Sequence, residues 1–225
     1  MAGLNNTITS RNDLADYLNI PQSKLSYILF KKGVNSYYIE FDIPKKSGGF
    51  RHICAPTEDL KNVQRQLANA LWEHQKSIYK EFRIKPNISH AFEKEKSILS
   101  NAKIHRNKRL VVNIDLKDFF DSFHIGRVCG YFEKNKYFNL PHGTAVTIAQ
   151  LACYQCRLPQ GAPTSPIITN LICQVLDMHL LSLAKSYRLD YTRYADDMTF
   201  STNDKSFLGK WDSFYNELER EIKKS

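Results

Sequence analysis

The sequence predicts an α+β fold, with helices and mostly antiparallel strands mixed along the chain. Three observations carry that reading. Residues 57–80 form an amphipathic helical run, and a second long helix is expected at about 166–186. "SYYIEFDI" at 36–43 alternates as a strand does, and "RLVVNID" at 109–115 is a clean apolar strand. Loops rich in proline and glycine separate these stretches. With 225 residues and 42% hydrophobic composition, the chain can build one large domain or two small ones.

Residues 10–32 read as two short helices. Ser10 caps the first, and Asp13 three residues on supports its N-terminus. Leu14, Tyr17 and Leu18 make its apolar face, "NIPQS" interrupts it, and Leu25, Ile28 and Leu29 line the second. The two read as a packing pair, with helix–turn–helix as the other reading. Strand 36–43 and the strand "RHICA" flank "PKKSGG", a hairpin loop. The 57–80 helix carries Leu60, Val63, Leu67, Leu71 and Trp72 on one side. Residues 81–108 are polar, basic and irregular. After "RLVVNID" a helical pattern reaches about 135 and resumes from 142 to 156. "LPQGAPTSP" is a loop, because three prolines and a glycine in nine residues forbid regular structure. Helix 166–186, a hairpin at 189–201 and a helix at 206–223 complete the order.

Charge is lopsided: 32 Lys and Arg against 23 Asp and Glu, a formal net charge of +9. Such a balance suits a polyanionic partner, nucleic acid being the commonest. No uninterrupted run of 18 apolar residues occurs and the N-terminus lacks signal-peptide features, so no membrane span is expected and the expected location is cytoplasmic. The five cysteines are expected to be reduced thiols. Cys153 and Cys156 form a lone C-x-x-C with no second ligand pair to complete a zinc set.

The chemistry concentrates in "YTRYADDMTFS", 191–201, where Asp196 and Asp197 are expected at a hairpin tip. Favoured central pairs of tight hairpins contain Gly or Asn, so two adjacent carboxylates are a poor structural choice there. A hard divalent cation gives them a use, because it seeks carboxylate oxygens. Asp115 ends the apolar strand "RLVVNID" in a charge. If that strand pairs beside the hairpin, three carboxylates converge at one end of a sheet. Three carboxylates can hold two Mg²⁺ about 3.5–4 Å apart, the arrangement for in-line phosphoryl transfer.

"VVNIDLKDFFDSF", "LPQGAPTSP" and "YADD", in that order and with 81 positions from Asp115 to Asp196, resemble the palm motifs of reverse transcriptases over about residues 36–205. The resemblance implies a right-hand polymerase: an N-terminal helical segment at 1–35, fingers at 36–108 and a palm at 109–225, its antiparallel sheet packed on helices. It implies that Asp115, Asp196 and Asp197 bind two Mg²⁺ and catalyse. It implies that Phe120 is the steric gate selecting dNTPs, with Phe119 packing inward. Gln160 and Gly161 match the loop beside the incoming nucleotide, where Gly161 admits close backbone approach. Arg51 matches the fingers arginine that grips the triphosphate, assisted by Lys45 and Lys46.

Asn101, Ala102 and His105 form an N-A-x-x-H pattern similar to one that marks bacterial retron reverse transcriptases. This implies RNA-directed DNA synthesis on a structured non-coding RNA, a branched RNA–DNA product, a role in anti-phage defence with an effector protein, and RNA contact by Asn101 and His105. Two other readings stay open: a non-retron bacterial enzyme of group II intron or abortive-infection type, and an RNA-binding polymerase-like module without turnover. The sequence ends 28 residues after Asp197, where relatives of this type continue into a thumb. Weak folding and poor processivity are therefore expected of the chain by itself.

Overall fold

The computed structural model describes residues 8–46, 48–84 and 88–224. Helices α1 (Arg11–Tyr17) and α2 (Gln22–Ser26) precede strands β1 (Tyr38–Pro44) and β2 (Phe50–Pro56). Helices α3 (Glu58–Glu81) and α4 (Ile98–His105) lead to β3 (Leu110–Asp115). Then come α5 (Ile125–Lys134), α6 (His142–Ala152) and α7 (Ser165–Ser186), followed by β4 (Asp190–Tyr194), β5 (Asp197–Thr202) and α8 (Trp211–Lys224). The mixed helix and antiparallel-strand content is the α+β class that the sequence predicts. By packing, the chain divides into two units: Met1–Ile84 with Phe120–Ile168, and Lys85–Phe119 with Thr169–Ser225.

In the first unit, α1 opens with the expected cap. Ser10 Oγ accepts from the Asp13 amide at 3.2 Å, and Asp13 Oδ2 accepts from the Ser10 amide at 2.9 Å. The second expected helix widens into a π-turn over Tyr27–Lys32 and stops at Gly33, whose φ is 79°. Strands β1 and β2 pair antiparallel, Ile43 opposite Arg51 and Glu40 opposite Cys54. Helix α3 buries Leu60, Val63, Leu67 and Leu71. Its buried Gln64 donates to the Tyr38 hydroxyl and to the Leu151 carbonyl, tying α3 to β1 and α6.

Helix α6 ends at Ala152 rather than 156, because Tyr154 and Arg157 exchange backbone hydrogen bonds around a tight turn. Its central residues, Gln155 and Cys156, have φ of 46° and 64°. The C-x-x-C therefore straddles a helix end: Cys153 is buried and Cys156 exposed, and all five thiols are free.

In the second unit the sheet order is β3-β5-β4, all antiparallel. One face, with Tyr191, Met198 and Phe200, packs on Leu176, Leu180 and Leu183 of α7 and on Phe214 and Leu218 of α8. The 81–108 stretch, expected to be irregular, contains α4, started by a capping box between Ser97 and Ser100. The last helix is expected from 206 but begins at Trp211, after a 3₁₀ turn over Lys205–Lys210 that Asp204 caps. Helix α7 is long and apolar enough to span a membrane, with a mean hydropathy of 1.5 over 18 residues, and 67% of that window is buried.

Candidate active site

Strand β3 alternates: Leu110, Val112 and Ile114 are half-buried while Val111, Asn113 and Asp115 are exposed. Its register with β5 sets Val112 opposite Phe200 and Ile114 opposite Met198 on the core face. One step further, on the other face, Asp115 lies directly opposite Asp197. The Leu116 amide donates to the Asp196 carbonyl at 3.1 Å and closes the end of the sheet. The register thus sets Asp115 opposite Asp197 at this end of the sheet, with Asp196 next to it in the turn.

The turn itself corrects the expectation by one position. Tyr194 pairs with Asp197, so the two central residues are Ala195 and Asp196, and Asp197 opens β5. Ala195 takes the left-handed conformation, φ 56°, that Gly or Asn usually fills. Its carbonyl accepts a hydrogen bond from Arg193 Nη1 at 2.9 Å.

Like charges directly opposite on paired strands destabilise a sheet. The Asp197 carboxyl is pushed up from its ordinary value, first by burial and then by the charges of Asp196 and Asp115. Three hard oxygen donors under mutual repulsion fit a divalent cation. Among the described residues, the triads with ligand atoms within 4.8 Å are Glu40–His52–Cys54 and Cys129–Glu133–His142.

Asn101 and His105 stand four residues apart on one face of α4, and both are buried. Thr192 Oγ1 donates to Asn101 Oδ1, so it accepts from His105 Nε2 at 2.7 Å. Ser201 Oγ lies 2.7 Å from His105 Nδ1, the ring's remaining acceptor. The N-A-x-x-H pattern is thus a clasp between α4 and the two strands of the aspartate hairpin. The side chains expected to meet RNA are turned inward onto sheet hydroxyls instead.

Arg51, Phe120, Gln160 and Gly161 lie in the first unit, and Phe119 ends a segment of the second. The Cys54 amide of β2 donates to the Gln160 carbonyl at 2.9 Å. Gly161 has φ 126°, and a Cβ there would meet the Cys54 carbonyl oxygen and Ile53 Cγ2, each at 3.0 Å. The close approach that requires glycine is therefore made by β2. Arg51, two residues before Ile53, shares its strand face and is exposed. Phe120 begins a 3₁₀ turn, Phe120–Ser122, and is half-buried, while Phe119 is 5% exposed. Phe119 does pack inward, but by turn geometry, since the strand has ended at Asp115. The Leu158 amide donates to the Phe123 carbonyl at 3.1 Å and Arg157 Nη1 to the Asp121 carbonyl at 2.9 Å. Within the first unit, then, the strand that carries Arg51 is bonded to Gln160, and the turn that carries Phe120 to Arg157 and Leu158.

Residues 43–225 match the family model described as reverse transcriptase (RNA-dependent DNA polymerase). This chain belongs to the reverse transcriptase family. It is 36% identical over 214 residues to the retron Mx162 reverse transcriptase of Myxococcus xanthus, covering 86% of this chain and 42% of that one. It is 38% identical over 165 residues to the retron Ec86 reverse transcriptase of Escherichia coli, covering 73% and 48%. With the retron Mx65 reverse transcriptase of Myxococcus xanthus it shares 35% over 190 residues, covering 76% and 42%. The chain spans less than half the length of these relatives. Membership in the reverse transcriptase family implies a divalent metal cofactor, and the aspartate oxygens are the donors in the second unit that suit one.

Sequence reasoning passed over a buried polar cluster in the second unit. Arg193, 0% exposed, donates through Nε and Nη2 to the two carboxylate oxygens of Asp177, each at 2.8 Å. Tyr191 donates to the same carboxylate at 3.0 Å. Burial opposes the Arg193 charge, but Asp177 outweighs it and holds the guanidinium protonated. The signal was the pattern: Arg193 falls at the period-2 position of Tyr191, on the core face, and a charge there needs a buried partner.

Proposed function

We propose that this chain is the fingers and palm of a retron-type RNA-directed DNA polymerase that copies a structured non-coding RNA into a branched RNA–DNA molecule in the cytoplasm. The observation that carries this reading is the register that sets Asp115 opposite Asp197 beside Asp196, in a chain of the reverse transcriptase family. The retron relatives supply the type.

Asp115, Asp196 and Asp197 would hold two Mg²⁺. Bound there, the ions supply activation of the attacking hydroxyl and charge neutralisation at the leaving pyrophosphate. The protein's own work is binding and orientation. Arg51 offers a planar fork of donors to a dNTP triphosphate, with Lys45 and Lys46 beside it. Phe120 serves as a flat aromatic under the sugar that leaves no room for a ribose 2′-OH. Gln160 and Gly161 form the floor of the nucleotide site, set by β2. Asn101 and His105 serve the RNA indirectly, by fixing α4 on the sheet. An effector protein completes a defence system in this reading.

The test is extraction of nucleic acid from cells expressing the gene with its native flanking sequence. The extract is run on a denaturing gel, with and without RNase and debranching enzyme. A small DNA that shifts after either treatment is expected. Primer extension on ordinary RNA without any such species assigns another reverse transcriptase lineage. Failure of both removes the polymerase reading.

A further inference from the structure

Arg193 is fully buried and therefore meets neither nucleic acid nor nucleotide. An ion pair in that position is a weak source of stability, because apolar side chains of similar volume often replace such pairs without loss. The guanidinium, however, has a third use. While Nε and Nη2 are occupied by Asp177, Nη1 reaches past the end of β4 to the Ala195 carbonyl. Ala195 is the strained residue of the aspartate turn, and its neighbour is Asp196.

The Arg193 main chain is fixed as well. Its amide donates to the Ile88 carbonyl at 3.0 Å, and its carbonyl accepts from the His90 amide at 2.8 Å. Asn170 of α7 holds the same segment, its Nδ2 donating to the Ala91 carbonyl and its Oδ1 accepting from Ser89. Arg193 thus turns its own amide and carbonyl to 88–90 on one edge of β4, while β5 pairs along the other edge.

We infer that Arg193, aligned by Asp177, is a positioning residue that clamps the Ala195–Asp196 turn and so fixes where Asp196 and Asp197 present their carboxylates. The inference rests on the polymerase reading of that site. A non-glycine residue held at positive φ relaxes unless its surroundings over-determine it. Among the contacts on this turn, the hydrogen bond to the Ala195 carbonyl comes from a side chain that is itself locked by a bidentate pair, and the Leu116 amide holds the next carbonyl, that of Asp196. Releasing the Arg193 bond leaves the sheet standing and lets the turn drift.

The test compares the full chain with Arg193→Lys, which keeps a cation for Asp177 but cannot serve both partners. The double variant Arg193→Met with Asp177→Leu, which removes both charges together, is the second arm. Thermal melting identifies the folded variants. Hydrogen exchange is read at the Leu116 amide, which bonds the Asp196 carbonyl, and single-nucleotide addition gives kcat and the KM for dNTP. In a folded variant, exchange at Leu116 is expected to rise about tenfold or more. The kcat is expected to fall on the order of 100-fold with KM nearly unchanged, as for a small misplacement of catalytic groups. A folded variant with parental exchange overturns the inference, and so does a loosened turn with parental kcat. A parent that adds no nucleotide overturns the polymerase reading itself.

Discussion

At the residue scale burial raises the carboxyls of both Asp197 and Glu93, with different consequences. Asp115 and Asp197 face each other across two strands, which costs stability in the absence of a cation. Asp197→Asn removes one charge of the three. It is expected to abolish nucleotide addition, while RNA binding measured by filter retention stays within about threefold and the melting temperature holds or rises. Equal loss of binding and addition would withdraw the assignment of Asp197. Phe120→Ala is expected to admit ribonucleotides, read as a fall of tenfold or more, roughly, in the dNTP-to-rNTP ratio of kcat/KM. Unchanged discrimination would remove Phe120 as the gate. Glu93 is a different case. Burial pushes its carboxyl up to about 7, against the pull of Lys96 and Arg193 and with the push of Asp177. Its folded value lies above its unfolded one, so the protonated form is the one the fold prefers. Stability from this group is complete below about pH 4.5 and is lost as the pH rises toward 7. Glu93→Gln should therefore raise the melting temperature at pH 8 by roughly 3–6 °C and leave it unchanged near pH 4.5. A constant difference at both pH values would place the effect elsewhere.

At the element scale the N-A-x-x-H pattern acquires a mechanical meaning. Helix α4 has eight residues, too few to be stable alone, so its position depends on what it grips. It grips Thr192 and Ser201 through a directional chain of hydroxyl, imidazole and amide. Burial holds the His105 imidazole below its ordinary value, and both ring nitrogens are spent on partners in the neutral form. His105→Ala takes the acceptor from the buried Ser201 hydroxyl and leaves the Thr192 hydroxyl with Asn101, and is expected to cost about 1–3 kcal/mol. Amide exchange in α4 should rise more than in α7, and equal change in both would dissolve the clasp. The motif letters were legible in the sequence, but its direction was not. A polar pair on a basic stretch reads as exposed until the hydroxyls beneath it are located, and those lie 87 and 96 residues away. The same limit applied to Gly161, whose neighbour is a backbone carbonyl on β2. Strand alternation and proline punctuation, by contrast, are local, and they located β1, β2, β3 and the aspartate hairpin closely. The helix in 81–108 escaped because its start rests on a serine capping box rather than on apolar spacing.

At the scale of the whole molecule, the excess of 32 basic over 23 acidic residues sets how the chain meets nucleic acid. RNA association should follow a counterion-release law, with a slope of about −2 or steeper for log affinity against log salt. A slope near zero would detach the net charge from the function. The order in which the two packing units use the sequence bears on a different matter. The chain passes from one to the other three times, after Ile84, after Phe119 and after Ile168. Neither unit is therefore encoded by an uninterrupted stretch of gene. Recombination between relatives at a single breakpoint splits at least one unit between two parents, whereas an exchange of Phe120–Ile168 together with the segment up to Ile84 transfers one intact. Viable chimaeras of this lineage should carry their junctions together, after Ile84, after Phe119 and after Ile168.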